Sequence, residues 1–131
     1  MKSYKSNLYS GIGSLLLVAG ILITDTNVMA QQQDVDAITY QMKNASPSLR
    51  AKLVEILSEM GGPSVVTALV EALGDEASQV RREAADALGE IGVERAVPAL
   101  MAAFQDNARD VRTEVVESLD ELHDIRAIRK R

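Results

Sequence analysis

The residues of this sequence that could do chemistry are carboxylates and arginines that recur at a fixed spacing of 31 residues. Two acidic columns stand four residues apart, and they consist of Glu55, Asp86 and Glu117 and of Glu59, Glu90 and Glu121. A third column consists of Arg50, Arg81 and Arg112. Rows of carboxylates can attract a cationic partner, whereas a guanidinium beside acids can donate several hydrogen bonds at once.

The acidic columns, called the acidic strip below, have two interpretations that the sequence leaves open. The strip is either a groove for a basic peptide or cationic protein surface, or a solvated face that keeps the protein soluble. A calcium site is disfavoured because hard cations need oxygens that converge on a loop, and these carboxylates are spread along helix surfaces. The arginines lie beside an apolar stripe, so we expect them to be structural residues.

Groups suited to catalysis are sparse. His123 is the only histidine, the chain has no cysteine, and no catalytic serine, zinc-protease or phosphate-loop motif occurs. A single histidine without a convergent partner rarely suffices for catalysis. We therefore expect no enzyme activity, no catalytic residues, no metal and no cofactor. We expect His123 to lie at the end of the last helix, where the helix dipole favours its protonated form.

Hydrophobic spacing predicts the elements that position these columns. Val80, Ala84, Leu88 and Ile91 recur at intervals of three and four, which is typical of an amphipathic helix. Asp75 is placed to cap the start of this helix, and Gly92 to end it in a left-handed conformation. Equivalent patterns predict three helix pairs over residues 31–124, at 31–43 plus 46–61, 63–74 plus 76–92, and 95–105 plus 107–123. No segment alternates as a strand does, so the predicted fold class is all-α.

A period of this length indicates a repeat array in which neighbouring units bury each other's apolar faces. The stretch that contains Pro98, Asp106, Val111 and Arg112 resembles the HEAT repeat. The short unit and the run VRREAADALGEIG at 80–92 are similar to the HEAT-like subtype named after phycobilisome (PBS) lyases. The resemblance covers residues 34–124. It implies a short right-handed α-solenoid whose second helices line a concave face.

The resemblance also implies roles for particular residues. Asp75 and Asp106 would be turn acids that bond to the arginine ladder across stacked units. HEAT-like hydroxylases that bind iron use paired His-Glu motifs, and this sequence has no such pair. Phycobilin lyases are longer arrays, so an accessory role in cofactor attachment or in a lyase-type reaction remains an alternative only. A purely structural envelope protein is a further alternative.

The N-terminal segment is typical of a secretory signal peptide. Lys2 and Lys5 precede an apolar run at 11–23, and Ala30 ends a polar stretch with a small side chain. We expect residues 1–30 to be a leader and the protein to be exported, to a periplasm or as a secreted protein. The apolar run is shorter than a bilayer-spanning helix, so an uncleaved membrane anchor is the alternative interpretation.

Charge restricts the class of partner. The formal net charge is −5, and aromatic residues make up 3% of the chain. An acidic surface with few stacking side chains disfavours nucleic acid and favours a basic protein partner. A basic tail is predicted at 125–131, beyond a last repeat with an uncapped apolar flank. This arrangement suggests self-association through the C-terminal repeat, or contact of the tail with acidic lipid headgroups or with the acidic strip of a neighbour. A frayed, solvated terminus is the alternative interpretation.

Overall fold

The computed structural model describes the backbone of residues 23–129 and the side chains of residues 29–124. Within this range the chain is entirely helical, as predicted, and contains no strand. The α-helices are α1 (Ile23–Met42), α2 (Pro47–Met60), α3 (Pro63–Ala72), α4 (Ser78–Ile91), α5 (Val97–Ala102) and α6 (Arg109–Arg129).

The chain divides into two compact units. The first unit comprises residues 1–37, and its described part belongs to α1. The predicted signal peptide lies mostly outside the described residues, and its predicted end at Ala30 lies within α1. Among the described residues, no helix combines the length and the apolar character that crossing a membrane requires.

The second unit, residues 38–131, contains α2 to α6, and α4 lies at its centre. α4 packs against α2, α3 and α6. One leucine from each of five successive segments is almost completely buried, and these are Leu57, Leu69, Leu88, Leu100 and Leu122. Burying a leucine side chain contributes roughly 1.5–3 kcal/mol, so these five side chains contribute strongly to the stability of a chain without cysteine.

Local sequence explains where α2 and α4 begin and end. The Oγ of Ser46 accepts a hydrogen bond from the N–H of Leu49 at 3.4 Å, and Pro47 occupies the first turn. Gly92 ends α4 with a φ of 71°, which confirms the predicted left-handed terminus. The predicted cap of α4 is wrong, because the N-cap residue is Ala77. Asp75 lies two residues earlier, and its Oδ1 accepts the N–H of Ala77 at 2.8 Å.

The first helix of the third repeat is shorter than predicted. The segment predicted at 95–105 consists of α5 between two 3₁₀ turns, Glu94–Ala96 and Ala103–Gln105. The second turn tightens because the N–H of Asp106 bonds to the carbonyl of Ala103 at 3.1 Å. Asp106 then leaves the helix with a ψ of 140°, and its carboxylate contacts Arg81 of the preceding repeat.

The last helix is longer than predicted. α6 passes through His123 and continues to Arg129, so the prediction that His123 ends the helix is wrong. At equivalent positions α2 and α4 are followed by Gly61 and Gly92, both with positive φ. Histidine has a Cβ that disfavours such a conformation, so the stop signal is missing and the helix continues. Much of the predicted basic tail therefore belongs to α6.

Candidate functional site

The first rung of the arginine ladder joins two repeats. Arg50 on α2 is 8% exposed, and its Nη2 donates to Asp75 Oδ1 at 2.9 Å and to Glu76 Oε1 at 3.1 Å. Its Nη1 donates to the carbonyl of Ala45 at 2.8 Å. One guanidinium thus holds the turn before α2 to the turn before α4. The hydrogen bond that Arg50 donates to Asp75 raises the pKa of Arg50 above its ordinary value.

The second rung repeats this geometry 31 residues later. Arg81 donates from Nε to Asp106 Oδ2 at 2.7 Å and from Nη2 to Asp106 Oδ1 at 3.0 Å. Its Nη1 donates to the carbonyl of Asp75 at 2.8 Å. The hydrogen bond from Arg81 lowers the pKa of Asp106, and the N–H of Ala108 contributes in the same direction. The pair is a bidentate contact between largely buried groups.

The third arginine has a different set of partners. Arg112 Nη1 donates to the carbonyl of Asp106 at 2.7 Å and to that of Asn107 at 3.1 Å. Among the described residues, no carboxylate forms an ion pair with Arg112. Among the described residues, the ladder arginines therefore bond to a turn carboxylate at the first two rungs and to backbone carbonyls at the third.

Direct contacts place α2, α4 and α6 side by side. Gln79 on α4 lies 3.5 Å from the Oγ of Ser48 on α2. Ser118 on α6 is buried, and its Oγ donates to the carbonyl of Ala85 on α4 at 2.7 Å. α4 and α6 approach closely here, since a Cβ on Gly89 would lie 2.8 Å from the Cβ of Ser118. The acidic strip therefore runs across three neighbouring helices.

The acidic strip faces the solvent at five of its six positions. Asp86 is half-buried, and the exposed members are Glu55, Glu59, Glu90, Glu117 and Glu121. Lys52 Nζ pairs with Glu55 Oε2 at 3.1 Å, between two exposed side chains. Such a surface pair adds at most about 1 kcal/mol and leaves the strip strongly negative.

Two further carboxylates enlarge the strip, and the sequence interpretation missed them. Glu83 on α4 and Glu114 on α6 are half-buried, and burial is the main cause that raises the pKa of each. Asp86 raises both pKa values further by repulsion. Arg82 partly compensates for Glu114, at 3.8 Å from Nη1 to Oε2. Glu83 and Glu114 do form a column in the 31-residue period, but its first member is Lys52. Because Lys52 has the opposite charge, the column is not recognisable in the sequence as a row of acids.

The described residues contain no group of three histidine or acidic side chains placed to hold a metal ion. His123 lies exposed on α6, with Asp124 as its neighbour in sequence. The strip carboxylates are spread over three helices, which suits contact with an extended cationic surface. They do not converge as the ligands of a hard cation do.

Comparison with known proteins gives the same architecture. The family model described as HEAT repeats matches residues 35–120. The search among curated proteins found no match. A solved structure of human deoxyhypusine hydroxylase in complex with glycerol is similar, at 28% identity and a TM-score of 0.67. The similarity covers 73% of this chain and 35% of the hydroxylase chain, so this chain spans about a third of that protein.

The family match includes the whole arginine ladder and five of the six residues of the acidic strip. It covers well over half of the chain, and the helical order and the 31-residue contacts agree with it. The chain belongs to the HEAT repeat family.

Proposed function

We propose that this protein is a non-catalytic helical-repeat scaffold that binds a basic segment of a protein partner along the acidic strip. The observation that carries the proposal is the alignment of solvent-facing carboxylates on three adjacent helices. The ladder arginines bond within the chain on the first two rungs, so they stabilise the helices that carry the strip.

The electrostatics of this surface support a cationic partner. Glu83 and Glu114 each lie near other acids, and that repulsion adds to burial in raising the pKa of both. Among the described residues on the strip side of α4 and α6, one ion pair with a cation occurs, between Arg82 and Glu114, and its 3.8 Å distance makes it weak. A partner that brings lysines or arginines would relieve this repulsion, which gives electrostatic steering and specificity.

A binding titration tests the strip directly. A fluorescently labelled peptide rich in lysine and arginine is titrated with the full chain and with a variant carrying Glu90→Gln and Glu117→Gln. The matched control carries Glu71→Gln and Glu94→Gln, which remove two exposed carboxylates from the first-helix side and change the net charge equally.

We expect the strip variant to bind roughly two- to thirtyfold more weakly, since each of the two exposed charge pairs contributes about 0.2–1 kcal/mol. The control should stay within about twofold of the natural chain, and added salt should weaken binding by the natural chain. Equal losses in both variants would show that only net charge matters. Binding unaffected by either variant would make the strip a solvated surface.

A hydroxylase-like function is the second candidate, and the 28% identity to deoxyhypusine hydroxylase favours it. We rank it below the scaffold because the whole sequence has one histidine, which leaves few of the usual ligands for a metal-dependent reaction. Equilibrium dialysis against ferrous iron separates the two candidates. Stoichiometric retention of iron would favour the enzyme, whereas no retention together with peptide binding would favour the scaffold.

Export and the PBS-lyase subtype are finer parts of the proposal. The leader at 1–30 would deliver the scaffold to a periplasm or to the exterior. Mass measurement of the chain recovered from a secreting host tests this, because cleavage would leave an N-terminus at or near Gln31. Retention of a tetrapyrrole on mixing would favour the lyase-accessory alternative over the adaptor.

A further inference from the structure

The second helices of the three repeats, α2, α4 and α6, form a row. Apolar side chains reach the surface at both edges of this row. The leading edge is the side of α2 formed by Leu49, Lys52 and Ile56. The trailing edge is the side of α6 formed by Arg112, Val116 and Asp120. Both edges occupy positions that, at the other repeats, lie in contacts between neighbouring second helices.

The leading edge is exposed where its equivalents are buried. Leu49 is 50% exposed, whereas the equivalent Val80 and Val111 are both 0% exposed. Ile56 is 42% exposed, and its equivalents are Ala87 at 3% and Ser118 at 2%. At α4 and α6 these positions are covered by the preceding second helix, as the bond from Ser118 to Ala85 shows.

The trailing edge has the complementary property. Val116 is 43% exposed, whereas the equivalent Val54 and Ala85 are both 0% exposed. Ala85 is covered by the second helix of the following repeat, as its bond with Ser118 shows, and Val54 lies on α2, which packs against α4. Ser118, which covers Ala85, is equivalent to Ile56 on the leading edge. The molecule therefore already contains a surface of the kind that fits its exposed trailing edge.

We propose that the trailing edge of one copy docks on the leading edge of a second copy, in the register that already joins α2 to α4 and α4 to α6. This inference stands apart from the proposed function, since it uses the two ends of the row, and of the acidic strip it engages Glu117 at the trailing end. The occupant is a second copy because the contacts within the chain supply both halves of the interface.

Charge on the two edges agrees with this occupant. Inside the chain, Glu83 faces Glu55 of the preceding helix, and Glu114 faces Asp86 in the same way, so both contacts are repulsive. The leading edge has Lys52 at this position. Between copies Lys52 would face Glu117, and the repulsion of the internal contacts becomes attraction.

Arg112 adds a polar contact at the same interface. Its Nη1 bonds to two carbonyls as that of Arg81 does, but Arg81 also donates two bonds to Asp106. Inside the chain, Arg50 and Arg81 face the turn aspartates Asp75 and Asp106. In the same register, Arg112 would face the equivalent residue of the second copy, which is Asn44. The amide oxygen of Asn44 can accept from the remaining donors of Arg112.

Side-chain size limits the strength of the contact. The internal contact of Gly89 with Ser118 pairs two small residues, which lets α4 and α6 approach closely. Between copies the pair would be Asp120 with Ile56, and these larger side chains hold the helices further apart. Because leading and trailing edges are different surfaces, the association is head-to-tail and open-ended, and it weakens on dilution.

Sedimentation velocity with two blocking variants tests the proposal. Ile56→Glu blocks the leading edge, and Val116→Glu blocks the trailing edge; both residues are exposed and glutamate favours helix. Tyr40→Glu is the control, because Tyr40 is 68% exposed and lies on neither edge. Circular dichroism melts of every variant establish that each one folds.

We expect the natural full chain and Tyr40→Glu to increase in average mass with concentration, and each blocking variant alone to remain monomeric. An equimolar mixture of the two blocking variants should form a dimer and nothing larger, since one intact leading edge meets one intact trailing edge. A monomeric natural chain at every concentration would overturn the proposal. So would a mixture that stays monomeric, or blocking variants that associate as the natural chain does.

Discussion

At the residue scale, the three ladder arginines differ in the groups to which they bond. Arg81 donates a bidentate pair of bonds to a carboxylate and a further bond to a backbone carbonyl. Arg112 keeps the carbonyl contacts, and no carboxylate among the described residues forms an ion pair with it. A lysine cannot reproduce the planar fork of a guanidinium, so conservative substitution separates these situations.

We predict that Arg81→Lys lowers the free energy of unfolding by about 1–3 kcal/mol, because hydrogen bonds between charged groups are lost in a poorly exposed site. Arg112→Lys, the matched control, should cost less than about 1 kcal/mol. Urea unfolding followed by circular dichroism measures both. Equal losses in the two variants would contradict the ladder described above.

Asp106 on the one hand and Glu83 and Glu114 on the other make stability depend on pH in opposite directions. The pKa of Asp106 is lowered in the folded state, so its contribution to stability is present above its unfolded pKa and is lost as the pH falls through its folded pKa. The pKa values of Glu83 and Glu114 are raised, so folding carries a penalty at neutral pH. That penalty disappears as the pH falls through their folded values towards the ordinary glutamate pKa.

We therefore predict that stability rises slightly from neutral to mildly acidic pH and falls at lower pH, where Asp106 takes up a proton. A variant with Glu83→Gln and Glu114→Gln should be more stable at pH 7, by about 0.5 kcal/mol for each like-charge contact removed, and should lack the rise. Thermal melts across the pH range measure this. A variant that keeps the rise would assign it to other groups.

At the element scale, α4 depends on its closest contact. Gly89 sits inside a helix, where alanine would ordinarily gain about 1 kcal/mol. A Cβ at this position would lie 2.8 Å from the Cβ and Oγ of Ser118 and 2.9 Å from its Cα. Since one of these atoms is backbone, rotation of the Ser118 side chain cannot relieve the clash.

We predict that Gly89→Ala destabilises the protein by about 1–2 kcal/mol in spite of its helix propensity, because overpacking costs about 1–3 kcal/mol. Ser58→Ala is the control at the equivalent position of α2, and it should change stability by less than about 0.5 kcal/mol. Chemical denaturation gives both values. A stabilising Gly89→Ala would mean that α4 and α6 are further apart than described.

Sequence patterns are enough to predict most of these elements. The 31-residue period locates the helices of the second and third repeats, and Gly92 predicts where α4 stops. The extension of α6 differs from the prediction, which treats the basic tail after His123 as a separate segment. The 3₁₀ turns around α5 were missed because they arise from backbone bonds around Asp106, which spacing does not encode.

At the scale of the whole molecule, repetition determines the architecture while charge suggests the function. The acidic strip was predictable in its six residues because a column of like charges is visible in sequence. Glu83 and Glu114 were not, because their role depends on burial between helices that the sequence cannot give. The identity of the partner depends on a complementary surface that lies outside this chain.

The most direct test of the account maps where a basic partner binds. Amide spectra of the isotopically labelled chain are recorded while a lysine- and arginine-rich peptide is added. The account predicts that the shifted amides lie on α2, α4 and α6 around Glu90 and Glu117 and that they return to their free positions in high salt. Shifts confined to α3 and α5, or no shifts at any peptide concentration, would contradict the acidic strip as the binding surface.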